Sequence, residues 1–491
     1  MSVETTLITQ GTRLSLRRAP RKTTMLVNDD AVAVFDSAGF AYLVNVDIGG
    51  QEFWMTFDTG SSDLWVVSSD CEDTDCLGIP TYSPSASSTL SLSDKPFRLA
   101  YLSGSVHGSV GTETITFGLY QILSQTFALA NGTSGLDLKD NGNSGILGLS
   151  FPPAASIQPT WGTTVLDNLF SHLDESDRFF AFKLGRNVSD PNATDSSFTI
   201  GELDSSIITN TTGTTTQPTY FPVFQTAASP YDYWKLPILN LTVNAIQLPL
   251  SRSLVRGAPS PIGVLDTGTT LILGPTVDVN AFWAVVGTGG SARYNSQTKL
   301  WEVRCDRGVD VRITLGQGER AWEYAIHPED ISWAEGGERD GWCTGGMQAN
   351  DGINSGDWLL GDVFLRNVYV VHQGATSSHP PMIGLMSLTD PQTSLIDFQN
   401  ARGSDPAPLP STLSLNHSNQ WNADVVATVL CALGGFLLGG LATLYYKVRR
   451  RSRKSSDTGY DYIKDGIHEV WRENNIQQQI RMENRGGHMG S

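Results

Sequence analysis

The sequence predicts an all-β protein. Three observations carry this reading. Charged residues make up only 17% of the chain, Gly, Ser and Thr are abundant, and apolar residues come in short runs between turn formers. The first such run, Ala41–Ile48 (AYLVNVDI), is rich in strand formers and stops at Gly49-Gly50, a turn signal. Phe53–Phe57 is a second short strand candidate and leads directly into Asp58. Similar runs continue to about residue 400, with no long helical period among them. The best helical candidate is Thr163–Leu173, where Val165, Leu166, Leu169, Phe170 and Leu173 share one face.

The 491 residues exceed what one ordinary core organises and suggest two or three domains. The formal net charge is −17, and residues 447–491 alone carry ten Lys/Arg against six Asp/Glu, so the remaining chain stands at −21. A body this acidic is a poor partner for nucleic acid, whose phosphates require cations. It suits an acidic compartment, where protonation relieves self-repulsion, although the same charge serves solubility alone.

The five cysteines divide into Cys71 and Cys76, five positions apart, then Cys305 and Cys343, then Cys431 inside an apolar run. Two pairs fit a secretory-pathway protein, while sequence alone leaves the connectivity open. Residues 401–424 are Ser-, Pro- and Asn-rich and read as a linker. Residues 425–446 are uncharged and long enough to span a bilayer, and Lys447, Arg449, Arg450, Arg451, Arg453 and Lys454 follow at once. That order predicts one C-terminal transmembrane helix with residues 447–491 as a cytosolic tail and the large N-terminal part luminal or extracellular. The expected location is a single-pass membrane protein of the secretory route, vacuole or endolysosome, or cell surface. Six Asn-X-Ser/Thr triplets, at Asn131, Asn187, Asn192, Asn210, Asn240 and Asn416, all precede the span and are candidate N-glycosylation sites. No signal peptide is visible at the start, so the reading requires an export signal that this N-terminus does not show. Arg17-Arg18 and Arg21-Lys22 are candidate processing sites in what reads as a basic tail.

The chemistry-bearing pattern is an internal near-repeat. Phe57-Asp58-Thr59-Gly60-Ser61-Ser62 is echoed by Leu265-Asp266-Thr267-Gly268-Thr269-Thr270. Each copy follows an apolar run, and each is followed by two aliphatic residues and a glycine, Ile146-Leu147-Gly148 and Leu359-Leu360-Gly361. One Asp-Thr-Gly is a common surface turn. Two with matching flanks predict related lobes, each giving one Asp to a shared cleft. Paired carboxyls cannot both ionise easily, so one keeps a proton while the other stays charged. The charged one can take a proton from water and the protonated one can give its own to a carbonyl oxygen. Gly60 and Gly268 allow close approach of the two turns, and Thr59, Ser61, Thr267 and Thr269 supply hydroxyls to fix the carboxyls.

On these residues the chain resembles the pepsin family of aspartic proteases over residues 36–395. FDTGSSDLWVV at 57–67 and VLDTGTT at 264–270 are similar to the family's two active-site signatures, and NSGILGL at 143–149 and WLLGDVF at 358–364 to the segments that support them. The resemblance implies a bilobal double β-barrel fold with the cleft between lobes. It implies disulfides Cys71–Cys76 and Cys305–Cys343, and a β-hairpin flap with Tyr101 as its tyrosine and Trp65 as the indole partner. Leu102 and Ser103 then line the substrate side. Leu102 departs from the family's usual glycine, which would narrow the cleft and alter specificity. The implied organisation is an N-terminal segment at 1–35, at most a prosegment remnant, an N-terminal lobe at 36–205 and a C-terminal lobe at 206–400.

The implied activity is hydrolysis of peptide bonds at acidic pH by water activated between Asp58 and Asp266, with protein or peptide substrates, no metal and no cofactor. A monomer is expected. A catalytically silent pepsin-fold binding protein is the alternative, and intact Asp-Thr-Gly at both sites argues against it. Paired carboxyls also cut glycosidic bonds, but that chemistry gives no reason for the duplicated Thr-Gly flanks or the flap.

Overall fold

Strand formation begins where the sequence alternates most clearly. In Phe40–Ile48, Tyr42, Val44, Val46 and Ile48 face the main core, while Ala41 and Leu43 pack on the other side with Trp54. Gly49 and Gly50 take φ of +61° and +80°, values that close a tight hairpin, and the chain returns as Gln51–Asp58. The structure is a computed structural model and describes residues 11–20, 40–136, 138–186, 195–208, 217–226, 229–318 and 320–403.

The two halves repeat one strand arrangement. In the first, Gln51–Asp58 pairs in parallel with Gly145–Gly148, which pairs antiparallel with Leu64–Val67, which pairs in parallel with Tyr120–Ser134. In the second, Ile262–Leu265 pairs in parallel with Trp358–Leu360, then antiparallel with Ile272–Gly274, then in parallel with Met347–Ala349. The duplicated motifs are therefore duplicated topology. Each aliphatic-pair-plus-Gly segment is the central strand that holds an Asp-bearing strand in place. Each arrangement sits in its own eight-stranded sheet.

A six-stranded antiparallel sheet joins the halves in the order Thr12–Leu14, Ser197–Ile200, Phe179–Lys183, Val368–Gln373, Met382–Ser387, Thr219–Pro222. Its upper face is aromatic. Phe57, one residue before Asp58, lies against Phe180, Phe182 and Phe198 with centroids 6.4, 5.2 and 4.7 Å away. Phe and Trp burial of this kind supplies several kcal/mol per side chain, so the strand carrying Asp58 rests on a stiff base. A four-stranded sheet, from Ala292–Asn295 to Ser332–Arg339, completes the second half.

The expected mostly-β bilobal fold is present. The Thr163–Leu173 helix forms as Val165–Ser171, with the Asp167 N–H donating to the Thr164 hydroxyl as an N-cap. Two longer helices, Thr276–Val286 and Pro391–Arg402, were not anticipated. The first buries Val279, Phe282, Trp283 and Val286 at helical spacing, but its four valines and neighbouring threonine read as strand formers.

The N-terminal expectation needs correction. Thr12–Leu14 and Leu16–Pro20 are strands, the second pairing with Phe40–Ile48, so the N-terminal sheet starts at residue 16 and not at 36. Arg18 is 8% exposed and its guanidinium donates to the Arg186 carbonyl, so Arg17-Arg18 is part of a sheet and not an accessible processing site. Thr12, Leu14 and Leu16 alternate inward, a period-2 signal that the surrounding arginines hid. Ala401 and Arg402, expected at the start of the linker, instead end the Pro391–Arg402 helix. Arg21-Lys22, linker residues 404–424, the 425–446 span and the cytosolic tail lie outside the described residues. Among the described residues no helix is long and apolar enough to cross a membrane.

One buried polar hub ties the second Asp-bearing half to the joining sheet. The Asn367 amide oxygen accepts from the His327 N–H, Arg186 Nη2 and the Thr389 hydroxyl, at 2.9, 2.8 and 2.6 Å. Its Nδ2 donates to Asp330 and to the Val363 carbonyl, both at 2.8 Å. Asn367→Leu strands several of these groups and is expected to cost about 3 kcal/mol or more. The midpoint of denaturant unfolding checks this, and an unchanged midpoint would contradict the hub's importance.

Candidate active site

Asp58 ends its strand and Asp266 immediately follows its own. Each turn then wraps its carboxyl in the same way. The Gly60 N–H donates to Asp58 Oδ1 at 2.8 Å and the Ser61 hydroxyl to Oδ2 at 2.5 Å. The Gly268 N–H donates to Asp266 Oδ1 at 2.8 Å and the Thr269 hydroxyl to Oδ2 at 2.6 Å. Asp58 and Asp266 are 4% and 8% exposed, and they lie close enough for the charge of Asp266 to act on Asp58.

Thr59 and Thr267 lock the turns together across the lobes. The Thr59 N–H donates to Thr267 Oγ1 at 3.0 Å, and the Thr267 N–H donates to Thr59 Oγ1 at 3.1 Å. Their hydroxyls cross over as well, Thr59 to the Leu265 carbonyl at 2.9 Å and Thr267 to the Phe57 carbonyl at 2.7 Å. These four bonds set how near the carboxyls come. A Cβ on Gly60 would lie 2.3 Å from Asp266 Oδ1, and one on Gly268 would lie 2.5 Å from Asp58 Oδ1, so no larger residue fits at either position. Burial, then the charge of Asp266, push the Asp58 carboxyl up to about 7, against the bonds from Ser61 and Gly60. The pair thus holds one proton over a wide acidic range.

A family model of eukaryotic aspartyl proteases matches residues 41–379. The chain belongs to that family. It is 27% identical to major aspartyl peptidase 1 of Cryptococcus neoformans over 72% of its own length and 69% of that protein. Chymosin of Camelus dromedarius is 30% identical over 67% of this chain and 76% of its own. Pepsin A of Bos taurus is 26% identical over 72% and 86%. Like these relatives, the protein is an aspartic endopeptidase.

The protease's cleft, about 400 Å³ in volume, has both Asp side chains on its floor. The Ser91–Ala100 and Ser105–Phe117 hairpin closes over it, with the Tyr101 N–H donating to the Gly104 carbonyl at 2.8 Å. Tyr101, Leu102 and Ser103 line the cleft, and Leu102 also packs against the main core. Trp65 is fully buried and its indole N–H donates to the Tyr101 hydroxyl at 2.8 Å. Tyr101 and Ser61 line the same cleft, the first held by Trp65 and the second donating to Asp58. Burial, and then the Asp58 charge, hold the Tyr101 phenol well above its ordinary range, so it remains a donor.

Both disulfides, Cys71–Cys76 and Cys305–Cys343, are formed. Of the glycosylation candidates, Asn131 is exposed and Asn240 is half-buried, its amide oxygen accepting from Gln247. Asn187, Asn192, Asn210 and Asn416 lie outside the described residues.

Several site residues escaped the sequence reading. Trp234 bridges the lobes: its carbonyl accepts from the Leu265 N–H at 2.9 Å and its indole donates to the Leu149 carbonyl at 2.8 Å. Leu149 in turn donates its N–H to the Asp58 carbonyl at 2.8 Å. Tyr233 and the Ile353–Ser355 segment form much of the wall on the Asp266 side. The Tyr231–Trp234 aromatic cluster beside an apolar strand was the available signal; the Ile353–Ser355 loop carried none.

Proposed function

We propose that the protein hydrolyses internal peptide bonds by water activated between Asp58 and Asp266, at acidic pH. The observation that carries the reading is the pair itself: two buried carboxyls brought close together, each held by an equivalent N–H and hydroxyl, at the floor of a cleft under a hairpin. The ionised member takes a proton from water as its oxygen attacks the carbonyl carbon. The protonated member gives its proton to the carbonyl oxygen. A gem-diol results. Its collapse sends a proton to the departing amine and returns one to the pair, which regains its starting state. The fixed N–H and hydroxyl donors need no reorganisation as charge moves, which is where such sites gain most of their rate.

The sequence also supports a setting for this activity. The uncharged 425–446 segment with its basic flank supports a membrane anchor with the catalytic part luminal or extracellular. The two disulfides agree with an oxidising compartment.

Purified protein should cleave a denatured protein increasingly as pH falls from 7 to 3, and a pepstatin-type inhibitor should stop it. Cleavage that is insensitive to the inhibitor, or absent at every pH, would exclude the proposed mechanism.

A further inference from the structure

Beside the cleft lies a second cavity that shares the wall residues Ile353, Asn354 and Ser355. Because the two cavities share this wall, a peptide that extends out of the cleft along Ile353–Ser355 would come to it next. Its chemistry differs from that of the cleft, where the charged side chains among the described lining residues are Asp58 and Asp266. Three charged side chains line it: Asp232, Lys235 and Arg256.

Two of the three cancel. Lys235 Nζ lies 2.6 Å from Asp232 Oδ1, and the Tyr233 N–H donates to the same oxygen at 2.9 Å. The Lys235 side chain is only 9% exposed and that of Asp232 31%, so the lysine is set into the wall and its partner reaches the cavity surface. Arg256 is exposed and makes no ion pair or hydrogen bond among the described residues. The cavity therefore has a net charge of +1 on a chain whose formal net charge is −17.

Arg256 is also well placed. Its loop is fastened to the shared wall through Asp357, which directly follows the 353–356 segment. Asp357 accepts from the Ser253 hydroxyl at 2.5 Å and from the N–H groups of Leu254 and Ile262, both at 2.7 Å. The Val255 N–H closes a turn on the Ser253 hydroxyl at 3.1 Å. The backbone under Arg256 is thus fixed relative to the cleft, while its guanidinium remains open to a ligand.

We propose that Arg256 makes this cavity an anion-selecting subsite, so that the protease favours substrates with an acidic side chain at the position that reaches it. The inference rests on the peptidase reading of Asp58 and Asp266 and adds to it the chemical class of one substrate residue. A planar guanidinium pairs with a carboxylate through two parallel bonds. The site is exposed to water, so the preference is modest and falls with salt.

The test is a set of peptides with one apolar cleavage core, in which Glu, Gln, Lys and cysteic acid are scanned through each flanking position near pH 5. At one position kcat/KM for Glu should exceed that for Gln by roughly five-fold, with Lys below Gln. The Glu preference should fade as pH drops through the peptide carboxyl's own range, while that for cysteic acid persists. Arg256→Gln should bring the Glu:Gln ratio to about one, Arg256→Lys should keep it above one, and Arg256→Glu should turn it in favour of Lys. Cleavage with no position that separates Glu from Gln, or a preference that survives Arg256→Gln, overturns the subsite alone. Failure to cleave any of the peptides overturns the peptidase reading and the subsite together.

Discussion

Asp58→Asn and Asp266→Asn are each expected to lower kcat/KM on a peptide substrate by about three orders of magnitude or more. An amide neither takes a proton from water nor shares one as the carboxyl pair does. The turns should survive, because the Gly60 and Gly268 N–H groups still find an amide oxygen. A second consequence separates this from damage to the fold. The folded state holds Asp58 at about 7, well above the value of about 3.9 for an unfolded carboxyl. The folded protein therefore binds that proton more tightly. The stability gained is complete below about pH 4 and is lost as pH rises toward 7, on the order of 4 kcal/mol in all. Asp58→Asn removes the titration. Its melting temperature should fall less between pH 4 and pH 7.5 than that of the unaltered protein. Identical pH profiles of melting temperature would refute the burial and repulsion argument, and retained cleavage would refute the catalytic one.

Gly60→Ala is expected to reduce kcat/KM by at least about a hundred-fold while the protein still folds. The added methyl carbon would meet Asp266 Oδ1 at 2.3 Å and its Cγ at 2.4 Å. Asp266 has no room to retreat without giving up the Gly268 N–H and Thr269 hydroxyl that hold it. The clash is therefore relieved by separating the carboxyls, which also breaks the sharing of a proton. Gly50→Ala is the control. Gly50 has φ of +80° but open space around its Cβ position, so alanine there should cost stability through backbone strain and leave kcat/KM unchanged. Peptide kinetics and circular dichroism on the two variants check the contrast. Full activity in Gly60→Ala would mean that the close approach of the turns is not required.

Part of this protein was determined by its sequence alone. The duplicated Asp-Thr-Gly turns, each with its aliphatic-pair-plus-Gly partner, are local patterns that need only a strand end and a tight turn. They proved to be the two halves of one repeated strand arrangement. The Thr163–Leu173 helix and the Gly49-Gly50 hairpin were legible for the same reason, since periodicity and turn chemistry act over a few residues.

Other features were decided only by tertiary structure. The strands at Thr12–Leu14 and Leu16–Pro20 form because partners at Ser197–Ile200 and Phe40–Ile48 await them, and no local signal outweighs their arginines. Trp234 spans the lobes because a fold places Leu149 and Leu265 on either side of it. Arg256 lines the same cavity as the Asp232–Lys235 pair because Asp357 ties its loop to the 353–356 wall. Sequence could propose that Asp58 and Asp266 act as a pair. Their close approach, and the burial and mutual repulsion that raise the proton affinity of Asp58, depend on four threonine bonds between turns about 208 residues apart. Distances across such a span are set by packing, and packing is not written in any one segment.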